Sequence, residues 1–184
     1  SMLAFLHWHK RRGTQPGLSL LLLATLFLIA YGTITPFLGK LSLLDVSGAL
    51  GRSSSLTGRT EVWASLMPAV SDSPFVGYGV GGFWTTYARE LYDISGAHNG
   101  YLGEILEGGF LGLFLLSLFL LSLAKAAHRL LWIDADWAAL CVMFLVAVLS
   151  HNIGEESINS FTSRLTSILV LVSLSCHAVS QVPG

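Results

Sequence analysis

Uncharged apolar runs separated by short polar patches set the outline of this chain. Four runs are long enough to predict membrane-spanning helices, at about 14–35, 105–125, 137–153 and 165–182. A helix that crosses a bilayer needs roughly 20 mostly apolar residues. None of the four carries the polar stripe that a helix of a soluble bundle turns toward water. The expected fold is all-α: a single polytopic membrane domain over 1–184, with about four transmembrane helices and a large loop at about 36–104 that holds short interfacial helices.

Inside the loop the pattern changes twice. Its start, 41–57, is rich in Ser and Gly and predicts no regular element. From Gly58 onward, Val62, Trp63, Leu66 and Val70 recur at helical spacing. Thr57 or Gly58 is the expected N-cap, Glu61 lies in the first turn, and Pro68 is expected to kink or end the helix. Such a helix would lie at the membrane interface with Trp63 as its anchor. The helix of the second span is expected to start near Ser95 or His98, with Ser95 or Asn99 as cap.

Composition supports the membrane reading. Hydrophobic residues make up 53% of the chain and charged residues 11%, against about 25% charged in a soluble domain; mean hydropathy is +0.66. The lysines and arginines set an orientation. Lys10, Arg11 and Arg12 precede the first span, and Lys125 and Arg129 stand between the second and third. Both segments are expected in the cytoplasm, which puts the loop and 152–164 outside. The leader lacks a small-x-small cleavage site, so it does not read as a cleavable signal peptide. A net charge of −1 gives no reason to expect a nucleic-acid partner. Cys141 and Cys176 fall inside spans and read as apolar packing residues.

The polar residues that remain are the candidate chemistry. Arg59, close to a helix start, is an anion site or a surface arginine reaching lipid phosphates. The segment Pro74-Phe75-Val76-Gly77-Tyr78-Gly79-Val80-Gly81-Gly82 is a re-entrant turn or, less specifically, a phosphate loop. Phe83, Trp84 and Tyr87 form an interfacial belt or a sugar-stacking face. His98 carries an imidazole, the side chain suited to exchanging protons at neutral pH, and stands at a membrane–water boundary, where histidines serve structure or catalysis. Glu104 and Glu107 follow one and two turns later. His151-Asn152, followed by Glu155 and Glu156, either caps the third span or adds to the polar cluster around His98. No zinc, haem or divalent-metal motif stands out, so neither metal nor cofactor is expected.

Taken in order, Gly58-Arg59-x-x-x-Trp63, Pro74-Phe75-x-Gly77-x-Gly79-x-Gly81-x-Phe83, His98-Asn99-x-Tyr101-Leu102 and Glu107-x-Gly109-x-x-Gly112 resemble the O-antigen ligase and polymerase superfamily of bacterial membrane glycosyltransferases. The resemblance runs from about 58 to 123, and the last two spans look like the family's C-terminal end. It implies a metal-independent transfer, on the outer face of the inner membrane, of an undecaprenyl-diphosphate-linked glycan to a hydroxyl of a lipid, a polysaccharide or a protein. It implies a catalytic His98 and Arg59, the second beside the donor diphosphate. Arg89, Tyr101, Trp84, Asn99 and Glu107 are the substrate-binding candidates, with Arg52 and Arg164 as lesser arginines. Family members are about twice as long, so the chain looks like a C-terminal half whose partners include a missing N-terminal half or other subunits, beside the donor, the acceptor and membrane lipids. Two other classes stay open: a non-catalytic truncated family member, and a small-solute transporter subunit.

Overall fold

The computed structural model describes residues 16–38, 54–92, 96–158 and 163–180. The basic leader, most of the Ser/Gly stretch, Arg52 and the cap candidate Ser95 lie outside the described residues. The described residues form six helices and no strand: α1 (Pro16–Leu38), α2 (Ser54–Asp72), α3 (Thr86–Tyr92), α4 (Gly100–Leu130), α5 (Ala135–Gly154) and α6 (Arg164–Ser180).

Three of these, α1, α4 and α5, are long and apolar enough to cross a membrane, and α6 is apolar but shorter. The chain is a polytopic membrane protein. Its large side chains point outward as well as inward: Leu20, Leu23 and Phe27 on α1, Phe114 and Leu115 on α4, and Leu171 and Leu174 on α6 are all exposed. In water that surface would aggregate; in lipid it costs nothing, because acyl chains are as apolar as leucine. Three hydroxyls of α1 bond locally: Thr25, Thr33 and Thr35 each donate to the carbonyl four residues back, so these groups are not left bare in hydrocarbon.

At the centre stands α4, packed against α1, α5 and α6, while α2 lies over α1 and α4. One core fills the bundle, lined by Leu120, Leu123, Ala127, Leu145, Val148, Leu149 and Leu169. A second lies under the loop: Trp63, Leu66, Ala69, Val70, Phe83, Ala97, Leu102, Ile105 and Leu106. Cys141 and Cys176, expected to pack separately, are both buried and paired to each other, with Cα atoms 7.3 Å apart.

Element limits differ from expectation in instructive places. α2 begins at Ser54 rather than at Gly58 and continues through Pro68 to Asp72. Arg59 therefore sits beyond the first turn, where backbone N–H groups are already spent on the helix, so an anion site made of Arg59 plus a helix N-terminus does not form. Trp63 is not an interfacial anchor: it is buried, and its Nε1 donates to Ala97 O at 2.8 Å. α4 begins at Gly100 and runs past Lys125 and Arg129, both expected in a loop. Ala126, Ala127 and Leu130 keep its inner face buried there, while the two long cationic side chains can reach the headgroup region.

Candidate functional site

The start of α4 is built by one side chain. Asn99 is the N-cap, and its Oδ1 accepts from Tyr101 N at 3.0 Å and Leu102 N at 2.8 Å. These are two of the four donors a helix start leaves unpaired. Its Nδ2 donates to Gly32 O on α1 and Ile153 O on α5, both at 3.0 Å. Asn99 thus ties three spans at one level. Two residues on, Tyr101 donates its hydroxyl to Leu149 O at 2.9 Å, and its ring lies where a side chain at Gly32 would be.

Further down, α4 is broken at Gly109, whose φ of 65° and ψ of −166° are not helical. The glycine-rich segment fills the break. Leu106 O and Glu107 O accept from Tyr78 N and Gly79 N, and Phe110 N and Leu111 N donate to Pro74 O and Phe75 O. An intact helix would join Leu106 to Phe110 and Glu107 to Leu111; here the loop is threaded between the halves of both pairs. Left unpaired in a low-dielectric setting, each of those four groups would cost several kcal/mol. Only glycine can stand at the crossing: a Cβ on Gly77 would lie 2.5 Å from Glu107 C and O, and one on Gly109 would lie 2.3 Å from Phe75 C. Tyr78 donates to Ala69 O at 3.2 Å; desolvation first, then the charge of Asp72, raises its phenol above the ordinary value. The segment is a wedge with four of its backbone groups, Pro74 O, Phe75 O, Tyr78 N and Gly79 N, committed to α4.

Above the wedge the polar cluster assembles. The segment before α4 is pinned on both sides of His98. Ala97 O accepts from Trp63, and Ala97 N donates to Glu156 Oε2 at 2.8 Å. Glu156 Oε1 also accepts from Trp84 Nε1 at 3.2 Å. With Ala97 and Asn99 both held, His98 is forced to φ 48°, and it is the non-glycine residue with positive φ among the described residues. That conformation costs a non-glycine residue about 1–3 kcal/mol, and it persists because its neighbours over-determine it.

The imidazole projects beside Glu155, the residue that ends α5. Glu155 Oε1 accepts from Arg59 Nη2 at 3.0 Å, and its Oε2 lies 3.7 Å from His98 Nδ1. One carboxylate therefore stands between the arginine of α2 and the histidine before α4. The side chains of Arg59, His98 and Glu155 are 27%, 41% and 50% exposed, so the trio is open to a ligand rather than sealed in the core.

The remaining candidates divide by burial. Asn99 and Tyr101 are fully buried, and their polar groups are spent on backbone partners. Glu107 is buried beneath the wedge. Trp84 is half-buried on Glu156, with its ring edge-on to Phe83. Arg89 is exposed in the last turn of α3, and Arg164 is exposed at the start of α6. Asn152 is buried and fastens the chain that leaves the third span, its Oδ1 accepting from Ser157 N and Ile158 N at 3.0 Å, while the C-cap of α5 is Glu155. Glu155 and Glu156 join the His98 cluster. Their sequence signal was an acidic pair at a span end, on the same side as His98. Among the described residues no three His, Cys, Asp or Glu side chains converge to hold a metal.

Comparison with known proteins places these residues in context. The sequence model of the O-antigen ligase family matches residues 1–117, which takes in α1, the wedge, the His98 segment and α4 past its break. The exopolysaccharide production protein ExoQ of Rhizobium meliloti (strain 1021) is 34% identical over 88 residues, or 42% of this chain. The chain covers 20% of that relative's length. No solved structure matches.

Proposed function

The chain belongs to the O-antigen ligase family, and on that premise we propose that it is part of a membrane glycosyltransferase of polysaccharide assembly. The donor is a glycan on undecaprenyl diphosphate, and the acceptor is a hydroxyl of a lipid or a growing polysaccharide. Transfer takes place on the extracytoplasmic face of the bacterial inner membrane, without a metal.

The observation that carries this reading is the meeting of Arg59 and His98 on Glu155, at the exposed end of the span bundle. Glycosyl transfer from a diphosphate asks for two things there. The acceptor hydroxyl must lose its proton as its oxygen bonds to the anomeric carbon, and the departing diphosphate must be met by positive charge as the C–O bond breaks and it takes the electron pair. His98 is the base that receives the proton, and Arg59 offers its planar fork to the phosphate oxygens. Asn99, Tyr101 and Glu107 act one step back: they hold the backbone that carries His98. Trp84 sits within reach of a sugar, and Arg89 is a second cation for the diphosphate.

His98→Ala and Arg59→Ala in the full-length protein test this in a strain lacking the activity, with surface glycan banding on a gel as readout. Loss of bands by both variants at normal membrane levels is expected. A normal ladder from either variant would sink the assignment.

A further inference from the structure

We propose that Glu155 is a built-in competitor for the donor diphosphate, and that its displacement from Arg59 positions His98 for proton transfer. The inference rests on the reading that Arg59 meets a diphosphate. Glu155 presents to Arg59 the kind of oxygen a phosphate presents, at 3.0 Å, and a guanidinium binds carboxylate and phosphate through the same fork. A diphosphate carries more negative charge than one carboxylate. The existing pair is also half open to solvent, where ion pairs are weak and easily exchanged.

The second oxygen gives the exchange a consequence. Glu155 Oε2 is 3.7 Å from His98 Nδ1, inside ion-pair range but longer than a hydrogen bond, which needs about 2.7–3.2 Å. While Oε1 holds Arg59, the carboxylate cannot close on the imidazole. The Glu155 backbone is anchored as the C-cap of α5, its N–H donating to His151 O at 3.0 Å, so release of Arg59 leaves the side chain to swing about a fixed point. Closing on Nδ1 would keep the proton there and leave Nε2 free to take the acceptor proton, which is how a carboxylate orients a catalytic histidine. Glu156 does not substitute, because its oxygens are held by Trp84 and Ala97. Glu155 is thus a positioning residue that couples donor binding to the base.

The test uses the whole detergent-purified chain and metal-free inorganic pyrophosphate as probe. By calorimetry, Glu155→Gln is expected to bind pyrophosphate about two- to fivefold more tightly than the wild type, the range of an exposed ion pair removed, and Arg59→Ala is expected to lose binding. In wild-type protein, nitrogen NMR of His98 is expected to show Nδ1 becoming hydrogen-bonded as pyrophosphate is added. This second readout needs no variant to fold, and a merely structural Glu155 would not move it. If Arg59→Ala loses binding while Glu155→Gln binds no more tightly or Nδ1 stays unchanged, the competitor role fails and the functional reading survives. If the wild type does not bind pyrophosphate, the functional reading fails and the competitor role falls with it.

Discussion

The two cores of this molecule are held together in different ways. The bundle core is mostly leucine, alanine and valine packed between α1, α4, α5 and α6, with the Cys141–Cys176 pair inside it; at its aliphatic positions many apolar residues of similar volume would serve. The core under the loop is smaller, and named hydrogen bonds hold it in place: Trp63 to Ala97, Glu156 to Ala97 and Trp84, and the wedge to α4. The first core makes a membrane protein. The second makes a particular surface on it, with His98 in a conformation it would not choose alone. Substitutions should accordingly be absorbed in one region and felt in the other.

The largest expected effect is at the wedge. Gly77→Ala drives a Cβ into the Glu107 backbone, which cannot yield without opening the α4 break, and should cost about 3 kcal/mol or more. Gly79 shares the positive φ but has nothing within 4 Å of its would-be Cβ, so Gly79→Ala should cost only about 1–2 kcal/mol from the backbone conformation. Thermal unfolding in detergent separates the two, and equal losses would mean that the crossing at Glu107 is not tight. Next comes Asn99→Ala, which removes a cap and two bonds to neighbouring spans and should lower stability by about 2–3 kcal/mol. Because Asn99 pins one side of His98, transfer activity should fall further than the folded fraction does; activity that simply tracks folding would separate the cap from the site. Tyr101→Phe keeps the ring against Gly32 and loses one buried hydrogen bond, about 1 kcal/mol by the same unfolding assay. Leu171→Ala, 65% exposed on α6, should change stability in lipid nanodiscs by less than about 0.5 kcal/mol; a loss comparable to Asn99→Ala would show that the face is covered by protein rather than by lipid.

The same division governs what could be read in advance. Spans are legible because each residue's preference for lipid is its own property and sums along a run. The cap at Asn99 is legible because its bonds reach two and three residues ahead. The α4 break was not: Gly108-Gly109 sits in an apolar run, and the partners that stabilise a break there come from Pro74–Gly79, a segment distant in sequence. Trp63 was misplaced for a related reason, since an aromatic at a boundary looks alike whether it faces headgroups or Ala97.

By itself, then, the order of residues determined a polytopic all-helical membrane protein, the apolar faces, Asn99 as a cap candidate for α4 and the glycines that allow a tight turn. These follow from local propensity and from transfer of side chains into hydrocarbon, neither of which needs a distant partner. Only the tertiary structure decided that the turn splits α4, that Asn99 joins three spans, and that Arg59 and His98 face one another across Glu155. Those pairings depend on how long helices cross and where their ends arrive, so they belong to the packed molecule and to no stretch of the chain.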